Sequence, residues 1–284
     1  MGMLLAFSTW GMQKTPIDVA VAHCAALGYD GLELTVIPRW PTDAATMDAA
    51  ERQRIRTLYD DHHLDLCGLS GNTPLLKGDA TERAQNIKTF KTYLDLAAEL
   101  QKPGERLSVS TTSAGEPGSW ETVKDELVNL FGNAAAYAEA AGVIVGIEPH
   151  VSNALHTPEQ AIWLVEQVNS PALGIHFDIS HFNVQGMEME PVVAQLVPYT
   201  VHTHIKDERG MAPDHQFLIP GEGEMDYVAY LKAMDRAGWK EYITVEISLM
   251  VQSRPDFDAL AAATQSYAVV AKAFEDAGIS RERK

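Results

Sequence analysis

The chain has 284 residues, 46% of them apolar and 21% charged, with 20 Gly and 14 Pro, which is the composition of an ordinary globular chain and excludes a disordered or low-complexity one. Its 22 Lys and Arg stand against 39 Asp and Glu, a formal charge of −17 that repels a phosphate backbone and argues against nucleic acid as a partner. No stretch approaches the roughly 18 apolar residues that cross a bilayer, the start MGMLLAFSTWGM lacks a basic region, and position 6 is Ala where myristoylation asks for Ser or Thr, so no membrane role and a cytoplasmic setting are expected.

Short β-branched or alternating runs recur between longer segments with an apolar residue every three or four positions. Strand Met3–Thr9 leads to a helix near Pro16–Leu27, Gly31–Val36 to one near Ala45–His62, Leu64–Ser70 to Thr81–Glu99, and Arg106–Thr112 to Trp120–Ala141. Val143–His150 then precedes Pro158–Val168, Leu173–His181 precedes Pro191–Leu196, Thr200–Asp207 precedes Tyr227–Ala237, and Tyr242–Ser248 precedes a last helix near Phe257–Ala277. Ser119 and Thr157 stand where an N-cap oxygen would meet free N–H groups, and Gly28, Gly142 and Gly238 stand where a left-handed residue would close a helix. Cys24 and Cys67 sit in apolar surroundings and read as small core residues.

Eight strand-helix pairs over residues 1–284, with no linker and no shift in composition, predict an α/β protein of one domain, a single (β/α)8 TIM barrel. An open doubly wound sheet is disfavoured because no GxGxxG turn follows the first strand. Two loops are long, Ser113–Ser119 and Glu208–Met225, and the second should cover the catalytic end of the barrel.

Acids and histidines fall late on the last four strands, with Glu148 in VIVGIE, Asp178 in LGIHFDIS, His204 in TVHTHIK and Glu246 in YITVEIS. Period 2 puts Gly146, Glu148 and His150 on one face, as it does His176, Asp178 and Ser180, then His202, His204 and Lys206, while Val145, Ile147, Ile175, Phe177 and Val245 take the other. The polar set therefore points into the barrel. Three converging carboxylates are costly there without a cation, and three carboxylate oxygens with one imidazole nitrogen suit a divalent ion, Mn²⁺ first, with Mg²⁺, Co²⁺ or Zn²⁺ also compatible. A strand-end acid paired with Lys, Arg or a backbone N–H is the plain alternative for any one of them; four in one phase on consecutive strands favour the metal.

GYDGLEL, VGIEPH, HFDISH, THIKD, PGEGEMDY and VEIS, in that order, resemble the successive signatures of the sugar-phosphate isomerase/epimerase superfamily of xylose-isomerase-like barrels. The resemblance implies that Glu148, Asp178, His204 and Glu246 hold the metal, and that His181, in a DxxH pattern, contacts substrate. It further implies that Glu148 and Glu246 remove and return a proton beside a carbonyl held with its neighbouring hydroxyl on the metal, through a metal-bound enediolate. The chain departs from the ketose 3-epimerase pattern at Ala154, where those enzymes carry a further Glu, and at Arg209, one residue away from a substrate-binding Arg.

Lys206 reads as a contact for an anionic group or as a partner of Glu148 or Glu246, and Glu33 as a pocket residue or a salt bridge lower in the barrel. His150, Arg209 and Trp10 complete the candidate substrate set, with Trp40 beside Trp10; His202 reads as a core histidine, and His215 as a loop residue. Gly221 and Gly223 read as a turn before a helix capped by Asp226, with no phosphate site. The expected activity is a metal-dependent sugar isomerase or epimerase acting on a small keto-sugar or polyol; the alternative is a lyase, of inosose dehydratase or keto-glycoside β-elimination type. An abasic-site nuclease is disfavoured by the charge and a binding barrel by the full ligand set, and the last helix leaves room for a homo-oligomer contact.

Overall fold

A computed structural model describes residues 2–281. Strands β1 (Leu4–Ser8), β2 (Gly31–Thr35), β3 (Asp65–Ser70), β4 (Ser108–Thr112), β5 (Ile144–Glu148), β6 (Leu173–Asp178) and β7 (Thr200–His204) each lie inside a predicted segment. A short hairpin follows, β8 (Asp207–Arg209) and β9 (Gln216–Leu218), and then β10 (Tyr242–Val245). The intervening helices are α1 (Ile17–Leu27), α2 (Ala49–Asp61), α3 (Ala80–Leu100), α4 (Trp120–Ala141), α5 (Pro158–Val168), α6 (Ser180–Asn183), α7 (Met189–Leu196), α8 (Tyr227–Arg236), α9 (Leu249–Gln252) and α10 (Ala259–Ala277).

The eight barrel strands pair in the order β10-β1-β2-β3-β4-β5-β6-β7, every pair in parallel. A parallel bridge between Ile205 and Val245 joins the two ends into the expected (β/α)8 barrel. The Ile205 N–H donates to the Thr244 carbonyl at 2.8 Å and the Glu246 N–H to the Ile205 carbonyl at 2.9 Å. Val145, Ile147, Ile175, Phe177 and Val245, the apolar phase of their strands, have no exposed surface, which is the burial that drives the helices onto the barrel at about 1.5–3 kcal/mol per large side chain.

Thr157 caps α5 as predicted, in a reciprocal box in which its hydroxyl accepts from the Gln160 N–H and the Gln160 side chain accepts from the Thr157 N–H. Gly28 and Gly142 close α1 and α4 with φ of 97° and 75°. Ser119 does not cap α4: its hydroxyl turns back to donate to the Glu116 carbonyl at 2.7 Å, inside a turn that already delivers the chain to the helix. α2 begins four residues later than expected, because Asp48, not a residue near Ala45, accepts from the Glu51 N–H and sets the first turn.

The segment expected as a loop after β7 contains the β8–β9 hairpin, with Asp207 opposite Leu218 and Arg209 opposite Gln216. Its organiser is the buried Asp207 carboxylate, which accepts four backbone N–H groups: Glu208 and Met225 at 3.0 Å on Oδ1, and Gly221 at 2.7 Å and Gly223 at 3.0 Å on Oδ2. A Cβ at Gly223 would stand 2.3 Å from Asp207 Oδ1, so only glycine lets the backbone come this close. The two glycines thus enclose a carboxylate of their own chain, in keeping with a turn and not a phosphate cradle, and Asp226 caps α8 through the Ala229 N–H.

Candidate active site

Asp178, His204 and Glu246 bring one donor atom each within 4.8 Å of one another at the C-terminal mouth, and Glu148, Asp178 and His181 form a second such group that shares Asp178. All four predicted ligands are therefore gathered at one place, along the arc β5, β6, β7 and β10. Their positions follow from local structure. β6 stops at Asp178 because its Oδ1 accepts from the Ser180 N–H at 2.9 Å and the Ser180 hydroxyl at 2.6 Å, starting α6 and leaving Oδ2 turned inward. α6 then returns His181 to the mouth, its Nε2 3.6 Å from Glu148 Oε1 and 3.8 Å from Asp178 Oδ2.

Lys206, 2% exposed, enters from the strand that carries His204. Its Nζ lies 2.6 Å from Asp178 Oδ2 and forms an ion pair with Glu246, and it stands 5.2 Å from the centre of the Phe217 ring on β9. Of the two pairings expected for Lys206 the structure brings Glu246, and adds Asp178. Phe217 also packs edge-on against His181, with ring centres 5.1 Å apart, so the hairpin does roof the site as its length suggested.

His150 lies just past β5 with its ring centre 4.0 Å from that of His181 and its Nδ1 accepting from the Ser152 N–H at 3.1 Å. Trp10 stacks on Trp40 at 4.8 Å and 19°, and Trp40 is buried with its indole N–H on the Thr9 carbonyl. Arg209 is not brought to the cluster: it sits half-exposed on β8, with its guanidinium on the Glu222 carbonyl and 3.8 Å from Glu224. Ala154 is wholly buried beside Gly115, where a Cβ would come within 2.9 Å of it, so no acid side chain enters there.

Glu33 is fully buried beneath the mouth, its Oε2 2.9 Å from His204 Nε2 and bonded by the Ser8 hydroxyl, with Oε1 3.2 Å from His202 Nε2. It takes the lower-barrel place of the two that the sequence offered, and it orients His204 from behind so that Nδ1 faces Glu246 at 3.5 Å. His202 is buried in the barrel interior, but its Nε2 makes no hydrogen bond, unlike the satisfied core histidine expected. The pairings of Asp178 with Lys206 and of Glu33 with His204 join residues far apart in the chain and carry no local signal.

Burial pushes Asp178 up, but Lys206 and His181 overcome it and hold the carboxyl well below its usual range. Glu148 is raised, because burial outweighs the pull of Lys206. His181 and His150 are both driven down to about 3, His181 by burial and the Lys206 charge, His150 by burial and the His181 charge. His204 moves the other way, to about 9, because Glu33 and Glu246 overcome its burial. Three carboxylates with one ammonium leave two negative charges in excess at the mouth before His204 is counted. Glu148 Oε1 and His204 Nδ1 have no hydrogen-bond partner although buried, so the donor set, its charge and its unsatisfied atoms all fit a divalent cation.

Glu208, which sequence reasoning passed over, lies nearby on β8, with one oxygen on the Asn183 amide at 2.8 Å and the other unpartnered. Burial, with Asp178 and Asp207 adding to it against the Asn183 bond, pushes its carboxyl from 4.5 up to about 8. The native state therefore holds a proton that the unfolded chain releases, and stability falls as pH rises through that window. Glu208→Gln is expected to gain about 2–3 kcal/mol on the wild type between pH 5 and pH 7, read by urea unfolding in chelator at both values; parallel stability curves would refute it.

A parallel eightfold barrel with a buried acid and histidine cluster at its C-terminal mouth defines a barrel of enzyme type whose donor set could hold a metal ion. Residues 21–267 match the family model for the xylose isomerase-like TIM barrel, and the chain belongs to that family. It is 27% identical over 255 residues, 87% of this chain and 91% of the relative, to the fructoselysine 3-epimerase of Escherichia coli O157:H7. It is 25% identical over 249 residues, 84% of each chain, to an inosose isomerase of Bacillus velezensis (strain DSM 23117 / BGSC 10A6 / LMG 26770 / FZB42). Among solved structures it resembles the IOLI protein with a bound zinc atom, at a TM-score of 0.79 and 21% identity over 97% of this chain and 99% of that one. No helix among the described residues is long and apolar enough to cross a membrane.

Proposed function

We propose that this chain is a divalent-metal-dependent sugar isomerase or epimerase, cytoplasmic, that moves a proton beside the carbonyl of a small keto-sugar or polyol. The observation that carries the reading is the convergence of Glu148, Asp178, His204 and Glu246 around an unbalanced negative charge; the names of the epimerase and isomerase relatives support the reaction type. We assign the four as the metal set, with Mn²⁺ the first choice and Mg²⁺, Co²⁺ or Zn²⁺ also fitting the donors. When bound, such an ion draws electron density from the carbonyl and its neighbouring hydroxyl and acidifies the C–H between them.

The protein's own groups do the rest. Glu246, ion-paired to Lys206 at one end of the arc, takes the proton, and Glu148, raised by burial at the other end, returns one. Lys206 holds Asp178 and Glu246 in place and supplies a positive charge beside the reacting oxygens. His181 and His150, neutral and in ring contact, donate and accept hydrogen bonds from sugar hydroxyls under the Phe217 roof, while Trp10 and Arg209 contribute only outer contacts at the rim. Because Lys206 is already engaged by two carboxylates, an unphosphorylated sugar suits this mouth better than a sugar phosphate.

The test is proton NMR in D2O of the metal-loaded protein with ketoses, inososes and 3-keto-glycosides, quenched and stripped of metal before acquisition. Deuterium beside the carbonyl with an intact skeleton is the expected result. Release of water or an aglycone would replace the reading with a lyase, and silence across the panel together with no bound metal would overturn it.

A further inference from the structure

One layer below the mouth, β6 and β7 place His176 directly beside His202, just as they place Asp178 beside His204 above. Glu33 from β2 reaches the same layer. Glu33, His176, His202 and His204 each bring a donor atom within 4.8 Å of the others, and all four are buried. His176 is 0% exposed, yet neither of its ring nitrogens has a hydrogen-bond partner. Glu33 Oε1 and His202 Nε2 stand 3.2 Å apart, yet neither atom makes a hydrogen bond. The His176 ring centre stands 5.0 Å from that of His202 and 4.1 Å from that of His204.

Buried polar atoms are satisfied almost without exception, and here two imidazoles and a carboxylate oxygen point at one another unsatisfied. The neighbouring strands make room for the rings: a Cβ at Gly68 would stand 3.1 Å from the His202 ring, and one at Gly146 3.3 Å from His176 Cβ. A cavity of about 630 Å³ opens from the opposite, N-terminal end of the barrel and is lined by His202, Cys67 and Ser108 among others, which gives a route inward that avoids the mouth.

We propose that Glu33, His176 and His202 form a second metal site in the barrel interior, separate from the one at the mouth. Two imidazole nitrogens and one carboxylate oxygen select a zinc-like first-row ion, Zn²⁺ or Co²⁺, over Mg²⁺. His204 stands between the two sites, with Nε2 toward Glu33 and Nδ1 toward Glu246.

The full-length protein, stripped with chelator, reloaded with Zn²⁺ and dialysed, is expected to retain two equivalents by elemental analysis. His176→Gln and His202→Gln should each retain one, and the mouth variant Asp178→Asn/Glu246→Gln should also retain one. With Co²⁺, visible d–d absorption of tetrahedral strength should persist in the mouth variant and vanish in His202→Gln. A wild type that holds one ion, lost in the mouth variant and unaffected by His176→Gln, overturns the interior site while leaving the mouth reading intact. An ion retained by the mouth variant and lost in both histidine variants supports the interior site whatever becomes of the mouth.

Discussion

Glu246→Gln should lower turnover by about 10²–10⁴-fold on whichever sugar the deuterium experiment identifies, the range expected for losing a positioned general base. The substitution keeps the side chain's size and shape but removes the charge that pairs with Lys206 and faces His204 Nδ1 at 3.5 Å. Its far-ultraviolet circular dichroism should match the wild type, because Glu246 lies beyond the last paired residue of β10 and contributes to the barrel through its backbone N–H, which Gln retains. Single-turnover rates at saturating sugar and metal would check the effect. A loss below tenfold would remove Glu246 from the proton transfer and leave Glu148 to be tested alone.

The second large effect concerns stability. Glu33→Ala should destabilise the fold by about 3–5 kcal/mol, the cost of breaking a buried ion pair by removing one partner. The lost carboxylate strands the Ser8 hydroxyl and His204 inside the barrel and removes the negative charge 3.2 Å from His202 Nε2, all three residues at most 3% exposed. The pH dependence follows from two opposite displacements. Burial pushes Glu33 up, but His204 and His202 hold it well below the usual carboxylate range, so its contribution is present above about pH 4.5 and fades as pH falls. His204 is raised to about 9, so its contribution is full below about 6.5 and is lost as pH rises through 9. The gap between wild type and Glu33→Ala should therefore be widest near pH 5–6.5 and shrink on both sides. Urea unfolding in chelator across pH 4–9 would measure it, and a gap that keeps growing to pH 9 would show that His204 is not the partner that matters.

The fold was legible because the information that specifies it is local. Each strand and helix carries its own period, and Thr157, Gly28 and Gly142 mark ends that the structure keeps. Ser119 misled because a serine before a helix has a competing carbonyl, that of Glu116, within reach. The three acids and one histidine at the mouth were legible because a barrel turns strand phase into convergence. What stayed hidden depends on contacts across the chain: Lys206 against Asp178, Glu33 behind His204, and Phe217 over His181. The hairpin was hidden for another reason, since three-residue strands such as Gln216–Leu218 are too short to show a period. His176 was placed on the inward face, but its neighbourhood with Glu33 and His202 exists only once the barrel is closed.

That closure is uneven. Most neighbouring strands share an extended ladder, while β7 and β10 meet through the Ile205–Val245 bridge, helped by the Thr203 hydroxyl on the Tyr242 carbonyl at 2.7 Å. The ring therefore has a seam, and it runs between the strand that carries His204 and the strand that leads to Glu246. A bound species held by both residues spans the seam like a clasp, resisting any change in circumference, and one that releases either of them lets the ring relax where its backbone stitching is sparsest.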